Sequence, residues 1–136
     1  MFNLYKELII DHGTNPRNKF LMNNYTNHSK GYNHLCGDKF DIYLLINNQF
    51  IKDISFDGSG CVISLASASM MTLILKDKSI DESKKIFDYF KNIITKDYMI
   101  DSNFGDLNVF TEVKKFPMRV KCATLAWHTF IDAVGK

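Results

Sequence analysis

The most regular pattern in the chain lies in residues 39–46. Phe40, Ile42, Leu44 and Ile46 fall on one face there, with Asp41 and Tyr43 on the other. A period of two is that of a strand with one face buried. Asn47-Asn48 then signals a turn, and Ile51, Ile54 and Phe56 carry strand character through residues 49–56. The two segments predict an antiparallel hairpin. Helical spacing appears elsewhere. Leu4, Tyr5, Leu8 and Ile9 recur at that spacing over residues 2–11, and Gly13 and Pro16 end the run. Gly58-Ser59-Gly60 breaks the chain after the hairpin. Residues 61–76 are then small and apolar, with no Gly or Pro, which predicts a helix packed closely on the sheet. Ser79-Ile80-Asp81-Glu82 has the form of a capping box and opens a helix to about Thr95. A last helix follows Pro117 and passes Cys122, Leu125 and Ala126 towards Ala133. Residues 14–33, rich in Asn, read as a surface loop, and residues 97–115, with Asn103 and Gly105, as loop-like. No repeat or low-complexity tract divides the chain, and its length suits one domain over residues 1–136.

Charge and composition remove several classes of function. The net charge is +2, and lysines are mixed with acids, as at Lys84, Lys85 and Asp88. That is a solvated face rather than a phosphate-binding stripe, so no nucleic-acid partner is expected. No stretch approaches the ~20 apolar residues of a membrane span. Acids at Glu7 and Asp11, and the lack of a small-residue cleavage site after an apolar run, argue against a secretory signal. The three cysteines are an odd number and cannot all pair within the chain. Reduced thiols in the cytoplasm are therefore expected.

Those cysteines are the candidate chemistry. In Cys36-Gly37-Asp38 a flexible glycine brings a thiol and a carboxylate into one small volume, where both can reach a cation. Taken alone, the tripeptide reads more simply as an inert core cysteine beside a turn residue. Cys61 follows a glycine-rich break and opens a helix, where the positive dipole end favours a thiolate. A small buried hydrophobe reads equally well there. Cys122 stands among Arg119 and Lys121, cations that also favour a thiolate, or that are ordinary surface charges. Jointly the three lie at element boundaries, and three sulfurs with one carboxylate would complete a tetrahedral zinc site. Their spacing is unlike that of zinc-finger pairs, so the fold must assemble them. His12, His28, His34 and His128 form no known metal signature. Met70-Met71, Phe87 and Phe90 read as core or interface packing.

Three ordered segments resemble the U-type (IscU/SufU, NifU-like) iron–sulfur cluster assembly family. They are Cys36-Gly37-Asp38; Gly58-Ser59-Gly60-Cys61-Val62-Ile63-Ser64 with Ala66-Ser67-Ala68-Ser69-Met70-Met71; and Pro117-Met118-Arg119-Val120-Lys121-Cys122-Ala123-Thr124-Leu125-Ala126-Trp127. Asp11-His12 and Asn15-Pro16-Arg17-Asn18 resemble its N-terminal helix and loop. The similarity runs from about Leu4 to Ala133. In the IscU branch a histidine precedes the third cysteine. Lys121 stands there instead, and extra length falls within residues 97–115, so the chain is more similar to the SufU branch. Two departures are Asn33-His34-Leu35, where Asn-Pro is frequent, and Val62, where alanine is usual.

The resemblance implies an α+β fold, with a small antiparallel sheet packed against helices and a metal site at one end. It implies a Zn²⁺-dependent sulfurtransferase, held by Cys36, Asp38, Cys61 and Cys122. That protein would take persulfide sulfur from a pyridoxal-phosphate (PLP) cysteine desulfurase of the SufS type and pass it to a downstream sulfur or cluster acceptor. Cys36 is then the implied sulfur acceptor, with Arg119 and Lys121 steering or stabilising the anionic sulfur. The alternative is a scaffold holding a [2Fe–2S] cluster on the same cysteines.

Overall fold

The computed structural model describes the backbone of residues 2–135 and the side chains of residues 6–135. The expected packing of Leu4 and Tyr5, and the domain limits at Met1 and Lys136, lie outside the described residues. The elements in order are α1 (Phe2–Thr14), β1 (Asn27–Asn33), β2 (Asp38–Asn47), β3 (Phe50–Ser59), α2 (Val62–Leu75) and α3 (Ile80–Thr95). A 3-10 segment (Ser102–Lys115) and α4 (Pro117–Val134) follow. The fold is α+β, as expected. A three-stranded antiparallel sheet, ordered β1-β2-β3, is packed by helices.

The alternating run does become a strand. Phe40, Ile42 and Leu44 are buried, and the register of β2 on β3 pairs Ile42 with Phe56 and Leu44 with Ile54. Asn48 and Gln49 take positive φ values of 53° and 66°, which closes the two-residue hairpin turn that matches strand twist. A register shift between Leu45 and Ile46 lets Ile46 drift to a half-buried position.

Two loop expectations are corrected. Residues 27–33 are not loop but the edge strand β1, which pairs along its whole length with β2, from Asn27↔Leu44 to Asn33↔Asp38. The sequence there is polar, so its strand state comes from the β2 edge and from α4 rather than from its own periodicity. Gly31 lets that helix approach, since a Cβ would run into the Thr129 side chain. Residues 102–115 are 3-10 rather than irregular, kinked at Gly105 (φ 53°). Leu107, Val109, Phe110 and Val113 are buried and anchor the segment.

The two helices that carry cysteines pack against each other and against the sheet. Small residues on α2 allow this: Ser64, Ala66, Ser67, Ala68 and Ser69 are all buried. Ser67 fastens the crossing, because its hydroxyl donates to the Ala123 carbonyl at 2.5 Å and accepts from Trp127 Nε1 at 3.1 Å. Trp127 is fully buried and stacks on Phe90 at 4.8 Å. Burying each such aromatic side chain contributes about 1.5–3 kcal/mol. The capping box of α3 is present, with the Glu82 amide donating to Ser79 Oγ at 3.0 Å. Among the described residues no helix is long and apolar enough to cross a membrane.

Candidate metal centre

Cys36 lies in the loop that joins β1 to β2. Asn33 shapes this loop. Its carbonyl accepts from the Gly37 amide at 2.8 Å, and its Oδ1 accepts from the Leu35 amide at 3.1 Å. Gly37 adopts φ 71°, a conformation that suits glycine. The turn leaves Cys36 exposed and delivers Asp38, the first residue of β2, into the interior with no exposed surface. Cys61 is the N-cap residue of α2, and its side chain makes no cap hydrogen bond. Cys122 lies in the second turn of α4 and is buried.

These residues meet. The Cys36 and Cys122 sulfurs are 3.0 Å apart, and the ligand atoms of Cys36, Asp38 and Cys122 all lie within 4.8 Å of one another. Cys61 joins through its backbone, its amide donating to Asp38 Oδ1 at 3.0 Å. Its sulfur is outside the mutually close set and faces Ser64 Oγ at 3.5 Å. It is still near enough to act on Cys122. Burial, then the Cys36 sulfur and the Cys61 charge, push the Cys122 thiol well above its ordinary pKa. Gathering thiolates and a carboxylate in one volume is costly unless a cation offsets their charge.

Asp38 shows the same need more directly. Its Oδ2 is buried and has no hydrogen-bond partner among the described residues. An unpartnered buried carboxylate oxygen costs several kcal/mol in an apolar setting and is normally paired or bound to a metal. With two thiols beside it, the donor set suits a thiophilic divalent ion such as zinc.

The remaining candidates sit as follows. Arg119 is exposed in the first turn of α4 and lines an apolar groove of about 330 Å³ floored by Ile9, Ile10, Val62 and Val113. Lys121 is exposed. Among the described residues neither side chain forms a hydrogen bond or ion pair. His34 is exposed, packs edge-on against Tyr32 at 4.2 Å and is not in the cluster. His12 is buried against Ser69, with Nδ1 and Oγ 2.7 Å apart. Three residues close to the cysteines have no role at the centre in the sequence reading: Asn33, whose amide donates weakly to Cys122 Sγ at 3.9 Å, Gly60 and Ser64. Asn33 was hidden in the presumed loop. Ser64 could have been noticed as a polar residue three positions beyond a helix N-cap.

Residues 4–123 match the family described as the NifU-like N-terminal domain. The chain belongs to that family. It is 37% identical over 134 residues to the zinc-dependent sulfurtransferase SufU of Bacillus subtilis, covering 98% of this chain and 90% of that protein. It is 29% identical over 133 residues to the iron–sulfur cluster assembly scaffold protein IscU of Thermotoga maritima, covering 98% and 94%. Among solved structures, a SUF-system iron–sulfur cluster assembly scaffold protein from Fervidobacterium islandicum superposes with a TM-score of 0.87. It is 32% identical and 94% of each chain is covered. The match spans the sheet and the three segments that bear the cysteines, and ends within α4.

Proposed function

We propose that this chain is a zinc-dependent sulfur acceptor, taking persulfide sulfur in the cytoplasm from a PLP-dependent cysteine desulfurase of the SufS type for iron–sulfur cluster assembly. The observation that carries this reading is the fully buried Asp38 carboxylate, with Oδ2 unpartnered among the described residues and two thiols gathered around it. Cys36, Asp38, Cys61 and Cys122 hold the ion. When bound, zinc would keep its cysteine ligands deprotonated yet quiet.

Cys36 receives the sulfur. It is the exposed cysteine, on the loop between the paired strand ends Asn33 and Asp38. Cys61 and Cys122 are held by helices. In the transfer the Cys36 thiolate attacks the outer sulfur of the partner's persulfide. A new S–S bond forms on Cys36, the partner's S–S bond breaks, and the partner's cysteine leaves as a thiolate. No external oxidant or reductant is required. Arg119 and Lys121 flank the α4 ligand and supply positive charge to an approaching anionic sulfur.

Lys121 also supports transfer over scaffolding, because the IscU branch carries a histidine at that place. The scaffold reading, a [2Fe–2S] cluster on the same cysteines, is favoured by the identity with the Thermotoga maritima relative. One experiment separates them. Desulfurase turnover is measured with and without the chain, purified free of oxygen, and metal and labile sulfide are measured in the same sample. Stimulated turnover with about one zinc per chain is expected. Bound iron with labile sulfide and no stimulation contradicts transfer.

A further inference from the structure

Asp38 is held by one oxygen only. Its Oδ1 accepts the Cys61 amide at 3.0 Å, while Oδ2 is buried with no partner among the described residues. Above this carboxylate lies Gly60. A Cβ at Gly60 would stand 2.8 Å from Asp38 Oδ1 and 3.1 Å from Phe40 Cζ, and would also run into Ser64 Oγ. Gly60 is not in the left-handed region, unlike Gly58 at φ 128°. Its backbone therefore tolerates alanine, and what the position cannot tolerate is the added carbon. The atoms in the way are mostly side-chain ends, which move before the backbone does.

From this we infer that Gly60 is a positioning residue of the metal centre, whose missing Cβ lets Asp38 dock by Oδ1 on the Cys61 amide and so present Oδ2 alone to the ion. The inference rests on the zinc reading above. A carboxylate so pinned gives a single oxygen ligand in a fixed direction, and the same hydrogen bond ties the Asp38 segment to the N-terminus of α2, where Cys61 sits. Ser64 stands on the other side of the same gap. Its hydroxyl lies 2.9 Å from the Cys61 carbonyl, to which it donates, and 3.5 Å from the Cys61 sulfur. Its one proton can turn towards that sulfur when the sulfur carries charge. A methyl group at position 60 would displace both neighbours.

The test measures zinc affinity by competition with a chromogenic chelator, and the unfolding midpoint of the metal-free proteins by circular dichroism. Gly60→Ala should bind zinc about 10–100-fold more weakly, the range for loss of a ligand-orienting contact, with the metal-free midpoint little changed. Gly60→Ala with Ser64→Ala should stay weak, because the contact with Asp38 remains. Asp38→Asn is the second arm and does not depend on position 60. Its carbonyl oxygen can still accept the Cys61 amide, which turns the amide nitrogen, not a ligand, towards the ion. It should therefore lose as much zinc affinity as Asp38→Ala. Wild-type affinity in Gly60→Ala, full recovery in the double variant, or near-wild-type binding by Asp38→Asn would each overturn the inference alone. A wild-type chain that binds no zinc would overturn the zinc reading, and this inference with it.

Discussion

Asp38 combines two features that rarely coexist: no exposure to solvent, and one carboxylate oxygen with no partner among the described residues. As a ligand, a carboxylate would be harder and more labile than thiolate, which would suit a centre that rearranges during the proposed transfer. Asp38→Cys should therefore keep zinc, in an all-sulfur site, yet fail to pass sulfur on. Metal analysis together with desulfurase turnover checks this, and full transfer by the variant would remove any special role for the carboxylate. Cys61→Ser and Cys122→Ser should each lose zinc and lower the thermal midpoint of the zinc-loaded protein, since ion binding adds to folding stability. X-ray absorption that finds only nitrogen and oxygen ligands would contradict the cysteine assignment. Cys36 and Cys61 were legible in the sequence because each adjoins a break in pattern, at Gly37 and at Gly60, whereas Cys122 lies not at an element boundary but in the second turn of α4. The supporting contacts were not legible. Nothing local to Asn33, Gly60 or Ser64 announces that they approach a sulfur or a carboxylate from another segment.

Elements show the same division. The β2–β3 hairpin was readable because Phe40, Ile42 and Leu44 face the core and Asn47-Asn48 signals a turn, which the structure places one residue later, at Asn48-Gln49. β1 was not readable, since Asn27-His28-Ser29-Lys30-Gly31-Tyr32-Asn33 lacks an apolar alternation and borrows its order from β2 and α4. The 3-10 segment was obscured by Asn103 and Gly105, though Leu107, Phe110 and Val113 fall at intervals of three. What holds that segment is Tyr89 of α3. Its hydroxyl donates to Asn108 Oδ1 at 2.6 Å and accepts from the Asp101 amide at 2.9 Å, while its ring stacks on Phe104 at 3.9 Å. Tyr89→Phe would strand two polar groups and should destabilise the protein by about 1–3 kcal/mol. Urea denaturation should show a lower midpoint at an unchanged slope. No loss would mean that the segment is held by its apolar anchors alone.

At the scale of the molecule, the cluster sits where the β1–β2 loop, the start of α2 and the second turn of α4 converge, so an ion bound there would tie three segments together. The fold without metal also depends on pH. Burial, and then Arg17, hold His12 below the ordinary imidazole value of 6.5, against smaller opposite effects of Asp11 and Asp106. His128 is exposed, yet partial desolvation beside Phe87, and then Lys91, lower its pKa too, opposed by Asp132. The unfolded chain therefore binds more protons below that value, and stability should be full above about pH 6.5 and decline as pH falls through the folded pKa values. The thermal midpoint of metal-free protein should thus be lower at pH 5.5 than at pH 7.5, and His12→Asn should flatten the difference. A pH-independent midpoint would mean that neither imidazole resists protonation in the fold. Whether this NifU-like chain accepts sulfur on Cys36 is read by mass spectrometry. Zinc-loaded protein is incubated with the desulfurase and L-cysteine, alkylated and digested. One added sulfur on the peptide that contains Cys36, and its absence from Cys36→Ala with the fold intact, is the predicted result. Sulfur on Cys61 or Cys122 instead, or undiminished stimulation of the desulfurase by Cys36→Ala, would contradict it.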